Sequence, residues 1–295
     1  MNVETLFDAR TSTLTHVVFD PETRDAVVID PVLDFDPATN KVFTESVDRV
    51  LALVAEKKLR VHFLLETHAH ADHLSGSALL RRRLGAPMAI GARITEVQAT
   101  FKKRLGLTHV ATDGRQFDRL LPDSAVLEAG SLRIEVLATP GHTPGCVTYR
   151  IGDALFTGDL LFAEDYGTGR TDFPGGDPDA MWRSVERLYA LPDATRVFPG
   201  HDYQPGGRAV RPSTTIGAEK AHNPQLSGTT CQADFVRFRR ARDATLAAPK
   251  LLYPSIQINV DGGHLPPADE NGRRRLVVPL DASAVEDTRS ETSAR

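Results

Sequence analysis

The amino-acid sequence predicts an α/β fold. Short apolar runs bounded by Gly, Pro and Asp recur along the chain, and stretches with the apolar spacing of amphipathic helices lie between them. The 295 residues are 41% hydrophobic and 25% charged, which is typical of a packed globular protein. A chain of this length is expected to form one large domain, or one domain with a small annex.

In the first part of the chain, strands alternate with helices. Residues 14–19 and 26–29 flank a turn at 20–24, which predicts a β-hairpin. The elements that follow are predicted as a helix beginning after Thr44, a strand at 62–65, a helix at 74–84 closed by Gly85, a strand at 88–90 and a helix at 94–105.

The middle of the chain is rich in predicted hairpins. Strands are predicted at 132–138, 146–151, 154–157 and 196–198. Asp177 and Pro178 are typical of a helix start, and the apolar spacing after them predicts a helix that runs to Tyr189.

The composition changes near residue 205, where Pro and Gly become frequent. Beyond this boundary a helix is predicted at 233–242 and a β-strand at 255–260. Residues 281–295 contain few bulky apolar groups and are expected to be mobile.

Charge and composition exclude several classes of protein. The chain has 35 Lys and Arg residues against 39 Asp and Glu residues, and a pI of about 6.2, so it offers no broad basic surface for nucleic acid or an anionic membrane. No apolar run reaches the roughly 18 residues of a membrane span. Two cysteines are too few for a disulfide scaffold. The acidic amino-terminal residues do not resemble a signal peptide, and we expect a cytoplasmic protein.

Potential metal ligands follow four predicted strands. They are His68, His70, Asp72 and His73 in the first segment, and His142, Asp159 and His201 in the other three. Strand ends are the usual place for sites in open α/β layers. Imidazole and carboxylate ligands suit zinc, iron, manganese or copper, while the lack of thiolate in these segments argues against structural zinc. The sequence therefore predicts a metal site.

These segments resemble a known family. The motifs THAHADH at 67–73, GHTPG at 141–145, GD at 158–159 and GH at 200–201, in this order and spacing, resemble the signature of the metallo-β-lactamase superfamily. The resemblance covers residues 12 to about 205. It implies a four-layer αββα sandwich with the metal between the sheet edges, a catalytic core at 1–205, and a helical and β-containing C-terminal extension at 206–280 that completes the substrate mouth.

Finer features resemble one branch, the persulfide dioxygenases. They are the alanines flanking Asp72, the run GHTPGC ending at Cys146, the stretch GRTDF at 169–173, the stretch GHDY at 200–203, and the pair Asn223-Pro224. The resemblance implies one Fe(II) per chain held by His68, His142 and Asp159. It also implies that glutathione persulfide, O2 and water are converted to glutathione and sulfite. The implied partners are glutathione persulfide and O2, with no nucleic acid and no membrane, and a homodimer is a candidate assembly.

The same resemblance implies roles for surrounding residues. Arg170, Tyr203 and Lys220 are candidates for holding glutathione, whose carboxylates need cationic partners. Arg170 and Asp172 are expected to pair beside the site, either to brace it or as a plain structural salt bridge. The groups expected to orient ligands or water are His70, Asp72, His73 and His201.

An alternative activity stays open on the ligands alone. The chain retains all seven residues that related hydrolases use for two zinc ions: His68, His70 and His142 on one, Asp72, His73 and His201 on the other, and Asp159 bridging. The alternative is therefore a glyoxalase-II-like dinuclear zinc hydrolase of glutathione thioesters. The GRTDF stretch, which differs from the glyoxalase-II pattern, favours the dioxygenase. A nuclease is disfavoured by the lack of a basic surface, and a non-catalytic binding module by the intact ligand set.

Overall fold

The structure, a computed structural model, describes residues 1–280, so the predicted mobile tail at 281–295 lies outside the described residues. In chain order the strands are β1 (Asn2–Asp8), β2 (Thr13–Phe19), β3 (Asp25–Ile29), β4 (Val32–Asp36), β5 (Lys41–Phe43), β6 (Arg60–Glu66), β7 (Leu74–Ser75), β8 (Met88–Gly91), β9 (Arg119–Leu121), β10 (Val126–Ala129), β11 (Leu132–Ala138), β12 (Val147–Ile151), β13 (Ala154–Gly158), β14 (Arg196–Pro199) and β15 (Thr214–Thr215). The helices are α1 (Glu45–Glu56), α2 (Ser77–Leu84), α3 (Ile94–Leu105), α4 (Pro178–Tyr189), α5 (Ile216–His222), α6 (Gln232–Asp243) and α7 (Leu252–Asn259).

Two six-stranded sheets pack face to face. The first has the strand order β1-β2-β3-β6-β8-β9, and the second contains β10 to β15 in sequence order. β1 to β3 pair antiparallel, whereas β3, β6, β8 and β9 run parallel. The facing sides of the sheets share a buried core that includes Val27, Leu65, Ile134 and Phe156.

Helices cover both outer faces of this pair. α1, α2, α3 and α7 pack on the first sheet around a core that includes Val50, Leu80 and Ile258. α4, α5 and α6 pack on the second sheet around a core that includes Met181 and Phe235. Each sheet thus buries one face against the other sheet and one against helices. The predicted four-layer αββα sandwich is confirmed.

Helix α2 begins later than the predicted helix at 74–84. Leu74 and Ser75 form β7 and pair with Leu33 and Val32 in a small third sheet, which leaves Ser77 as the first helical residue. The helix ends as predicted, because Gly85 adopts the left-handed φ of 71° that closes a helix.

The predicted strand at 255–260 is wrong, since these residues belong to α7 and its cap. The alternation of Ile256, Ile258 and Val260 with polar residues has the period of a strand. Gln257 and Asn259 between them are nevertheless buried as well, and their amides find partners inside the protein. A helix buried on most sides carries no reliable apolar period.

The C-terminal region joins both halves of the sandwich. β15 pairs with β14 in the second sheet, α6 packs on α4, and α7 packs beside β7 on the far side of the molecule. The predicted helix at 233–242 is α6. The division into a core and an extension at residue 205 stays a prediction. No helix within residues 1–280 is long and apolar enough to cross a membrane.

One buried carboxyl group in the outer helical layer gives a testable pH effect. Burial raises the pKa of Glu219 in α5 to about 8, and its Oε1 has no hydrogen-bond partner in the described part of the chain. The folded protein therefore keeps a proton that the unfolded chain loses near pH 4.5, so Glu219 makes stability fall as the pH rises from 4.5 to 8. We expect Glu219→Gln to match the wild type at pH 5 and to raise the Tm at pH 9 by about 3 °C, measured by thermal unfolding.

The exposed Glu186 in α4 supplies the control, because Glu186→Gln changes the same charge without burial. An equal Tm gain for both variants at pH 9 would contradict the role assigned to burial.

Candidate metal centre

The four ligand segments of the sequence meet at one edge of the two sheets. Residues 67–73 follow β6, His142 lies in the loop after β11, Asp159 directly follows β13, and His201 follows β14. His201 also forms an isolated bridge with Thr13 of β2, which ties the segment after β14 to the first sheet. The strand ends thus bring together residues that are far apart in sequence.

One compact group contains His68, His142 and Asp159. Their ligand atoms lie within 4.8 Å of one another, and His142 Nε2 lies 3.6 Å from Asp159 Oδ2. All three residues are buried. Two imidazoles and one carboxylate in this arrangement form a donor set typical of non-haem iron sites.

Hydrogen bonds orient both histidines of this group. His142 Nδ1–H donates to the backbone carbonyl of Arg170 at 2.8 Å. The Thr67 hydroxyl donates to Asp30 at 2.7 Å, so at 3.0 Å it accepts from His68 Nδ1–H. Each imidazole therefore carries its proton on Nδ1 and presents an unprotonated Nε2 to the group.

A second group contains His70, Asp72, His73 and His201, again with ligand atoms within 4.8 Å of one another. His201 Nε2 lies 3.1 Å from Asp72 Oδ2 and 3.4 Å from Asp159 Oδ1. Asp159 is therefore the residue that joins the two groups. Burial opposes ionisation of Asp72, but the neighbouring His201 and His73 lower the pKa of its carboxyl group below the ordinary value.

His70 also faces two carboxylates that the sequence analysis missed. Its Nε2 lies 3.1 Å from Asp30 and 3.4 Å from Glu66, both buried. Burial alone would lower the pKa of His70, but Asp30 and Glu66 raise it well above its ordinary value. Asp30 comes directly after β3 and Glu66 is the last residue of β6, so the strand-end pattern that identified the candidate ligands could also have found both.

Asn259 is a third missed residue. Its Nδ2 donates to the carbonyls of His70 at 2.8 Å and His73 at 2.7 Å, and its Oδ1 accepts from Ser75 N–H at 2.8 Å. The last residue of α7 thus holds the backbone of the first ligand segment. Only the tertiary fold brings residue 259 to residues 70–75.

The donor atoms of the centre fit a metal ion. Within residues 1–280, several of them are buried and have no hydrogen-bond partner: His68 Nε2, His70 Nδ1, His73 Nε2, His201 Nε2 and Asp159 Oδ1. Buried polar atoms without a partner are costly unless something else satisfies them. A metal ion coordinated by these atoms would supply that missing interaction.

A cavity of about 1100 Å³ opens onto the centre. His142, Asp159 and Asp72 line it together with Phe162 and Tyr203, and the C-terminal region contributes Leu246 and residues 249–251. The cationic residues that line it are Arg10, Lys41, Arg170, Arg239, Arg242 and Lys250. Among the described residues, Lys41, Arg242 and Lys250 have no ion-pair partner, whereas the other three are paired with Asp34, Asp172 and Asp243.

Two of the three candidates for holding a substrate line this cavity. Arg170 forms two short hydrogen bonds to Asp172, at 2.6 and 2.7 Å, as the sequence analysis expected, and Tyr203 stacks on His201 with ring centroids 5.5 Å apart. Lys220 does not line the cavity, because its ammonium group pairs with Asp193 at 2.7 Å on the outer helical layer. Arg242 and Lys250, which the sequence analysis did not single out, take its place on the wall.

Comparison with known proteins decides the family. The model of the metallo-β-lactamase superfamily matches residues 11–201. The chain belongs to the metallo-β-lactamase superfamily. Members of this superfamily are metal-dependent enzymes, and the clustered histidines and aspartates agree with metal binding.

Relatives within the superfamily carry different names. The chain is 45% identical to a probable metallo-hydrolase of Burkholderia pseudomallei, covering 96% of this chain and all of the relative. It is 38% identical to glyoxylase B2 of Dictyostelium discoideum, over 94% and 96% of the two chains. It is 34% identical to the mitochondrial persulfide dioxygenase ETHE1 of Bos taurus, over 79% and 78%. The chain spans 65% of the length of a further relative, a β-lactamase hydrolase-like protein of Xylella fastidiosa.

A solved metallo-β-lactamase-superfamily structure supports the same placement. The crystal structure of ETHE1 from Myxococcus xanthus superposes with a TM-score of 0.72 at 35% identity, covering 90% of this chain and all of that chain. The similarity extends well beyond residue 201, and therefore includes much of the C-terminal region.

Proposed function

We propose that this protein is a non-haem Fe(II) persulfide dioxygenase. It oxidises glutathione persulfide with O2 and water to glutathione and sulfite, releasing two protons, and so removes reactive sulfur. One Fe(II) per chain is held by His68, His142 and Asp159. The identity to persulfide dioxygenase ETHE1 supports this proposal, as does the likeness to the Myxococcus structure.

The grouping of His68, His142 and Asp159, whose ligand atoms lie within 4.8 Å of one another, is the observation that carries the proposal. In a dinuclear hydrolase His70 would complete the first metal site together with His68 and His142. Here the close group consists of His68, His142 and Asp159, and His70 has Asp30 at 3.1 Å. Two imidazoles and one carboxylate on one face of an ion leave positions free for two further reactants.

The residues of the centre position the reactants and control protons. When bound, iron supplies the redox chemistry that O2 needs to react with a sulfur compound. The Arg170 carbonyl and the Thr67 hydroxyl keep His142 and His68 in the form that binds metal. Asp72 and His201, which lie 3.1 Å apart beside Asp159, are placed to orient water.

The cavity wall fits an anionic thiol carrier. Glutathione has two carboxylates, and the wall offers Arg170, Arg242 and Lys250, with Tyr203 beside them. Arg170 is paired with Asp172, whereas Arg242 and Lys250 are free of ion pairs within residues 1–280. These two residues replace Lys220 in the proposal.

One observation favours the alternative, a glyoxalase-II-like dinuclear zinc hydrolase of glutathione thioesters. The second group of His70, Asp72, His73 and His201 has the donors for another metal ion, and Asp159 lies within 3.4 Å of His201, as a bridging ligand would. The identity to glyoxylase B2 agrees with this activity. Two zinc ions held by these residues would supply the activated water that hydrolysis of a thioester needs.

Two measurements on the purified protein separate the activities. We expect about one iron per chain by elemental analysis, and consumption of O2 with formation of sulfite when glutathione persulfide is added in an oxygen electrode. A glutathione thioester should remain intact under the same conditions. The matched control is protein loaded with zinc alone, which should consume no O2.

Two zinc ions per chain with thioester cleavage and no O2 uptake would overturn the proposal in favour of the alternative. The cytoplasmic location, the homodimer, and the absence of nucleic-acid and membrane partners stay predictions.

A further inference from the structure

We infer that the buried ion pair Arg239–Asp243 in helix α6 is a positioning device for the metal ligand His142. The inference rests on the metal-site part of the proposed function, and it holds whether the centre carries one iron or two zinc ions. Neither residue touches the ligand cluster, and both act through the chain segment 168–171.

The first step is the contact between this segment and the ligands. His142 Nδ1–H donates to the carbonyl of Arg170, which sets the direction of the imidazole. One residue earlier, Gly169 N–H donates to the backbone carbonyl of Asp159 at 3.2 Å. The segment therefore holds two of the three residues of the compact group, and a shift of its backbone would turn His142.

The second step is that the segment has little structure of its own. It lies between β13 and α4 and belongs to no helix or strand, apart from an isolated bridge of Thr168 with Leu161. A loop of this kind is fixed only by what packs against it.

Helix α6 supplies that support. Asp243 Oδ2 accepts hydrogen bonds from Thr171 N–H and from the Thr171 hydroxyl, both at 2.8 Å. Arg239 Nη2 donates to Asp243 Oδ1 at 2.6 Å, and its Nη1 donates to the carbonyl of Thr168 at 3.3 Å and to Gln225 at 2.9 Å. Residues 168 and 171, on either side of the two contact points, are thus both held by one ion pair.

The burial of this pair indicates a purpose beyond stability. Arg239 and Asp243 are only 2% and 4% exposed. Removing two charges from water costs several kcal/mol, and an apolar pair of similar volume is often at least as stable. What an apolar pair could not do is hold Thr171 N–H and the Thr168 carbonyl in fixed positions.

The pair also lies outside the region that the superfamily model matches, which ends at residue 201. The orientation of His142, a residue of that region, therefore depends on a helix that follows it. This gives the C-terminal region a defined influence on the centre.

The test measures His142 directly as well as the metal. In metal-free protein labelled with 15N-histidine, we expect a His142 Nδ1 proton that exchanges slowly with solvent. In Asp243→Asn this proton should exchange at least tenfold faster. The affinity for Co(II) and Fe(II), measured by chelator competition, should fall by about 10- to 100-fold. The visible absorption bands of the Co(II) form should also change. Thr171→Val, which removes one of the two bonds to Asp243 and should fold normally, should shift both readouts in the same direction by a smaller factor.

Val236→Ala is the matched control. Val236 is a buried residue of the same helix that packs in the core beside α4 and takes no part in the hydrogen bonds of this network. It should lower the Tm as much as Asp243→Asn while leaving the proton exchange of His142 and the Co(II) bands unchanged. Asp243→Glu, which keeps the charge and the acceptor, should restore part of the metal affinity.

Unchanged His142 proton exchange in Asp243→Asn and Thr171→Val would overturn the inference, and so would equal changes in Val236→Ala. If the wild type protects this proton but binds neither one iron nor two zinc ions, the proposed function fails and the positioning role stands.

Discussion

His142→Ala is expected to lose iron binding and persulfide oxidation together. His142 supplies one of only three donors in the compact group, and its loss leaves His68 and Asp159 alone. Loss of an outer hydrogen bond to a metal ligand weakens metal affinity by roughly 10- to 100-fold, and loss of the ligand itself should exceed that range. The measurements are iron content after anaerobic reconstitution, chelator competition, and O2 uptake with glutathione persulfide.

Two further histidine variants make the result specific. His109 is exposed and distant from the cavity lining, so His109→Ala should retain iron and activity. His70→Ala should retain much of its iron, although its Tm should fall because Asp30 and Glu66 lose their buried partner. Equal iron loss in His70→Ala and His142→Ala would identify His70 as a ligand and favour the dinuclear alternative.

Gly169→Ala is expected to have the second largest effect. A methyl group on residue 169 would overlap the carbonyl oxygen of Asp159, which is backbone and cannot rotate away. The chain can relieve the overlap only by moving the segment or Asp159 itself, so metal affinity should fall by about 10- to 100-fold. Overpacking of this kind costs about 1–3 kcal/mol, so the Tm should also fall by several degrees.

Gly228→Ala provides the comparison for this variant. An added methyl group there would meet its nearest atom, the carbonyl oxygen of Lys220, at an ordinary 3.5 Å, and its φ is not positive. This variant should keep the metal affinity and Tm of the wild type. A Gly169→Ala protein with normal metal affinity would mean that the segment does not determine the position of Asp159.

Much of the fold could be predicted from local patterns. The hairpin before residue 30, the helices closed by Gly85 and started by Asp177, and α6 all carry signals within a few residues of their own ends. The alternation of apolar and polar residues at 255–260 predicted a strand wrongly. Gln257 and Asn259 are buried like the apolar residues beside them, and their amides form hydrogen bonds inside the protein. Alternation distinguishes a strand from a helix only when the polar residues face water.

The sequence singled out candidate ligands that the structure brings together, but it missed the residues that support them. His68, His142, Asp159 and His201 share a signal, since each ends or closely follows a predicted strand. Lys220 was implied by the resemblance alone, and a resemblance in sequence does not fix the direction of a side chain. It lies in α5 and its ammonium group pairs with Asp193 instead.

The sequence by itself determined the α/β class, the candidate ligand residues and the resemblance to the superfamily, because strand periods and strand-end motifs are local properties of the chain. The tertiary structure alone decided that His70 faces Asp30 and Glu66, that Arg242 and Lys250 line the cavity, and that Asp243 holds the segment behind His142. Apart from the pair His70–Glu66, the side-chain contacts among these join residues 40 or more positions apart, which no local spacing encodes. They depend on how the helical layers and the two sheets pack together.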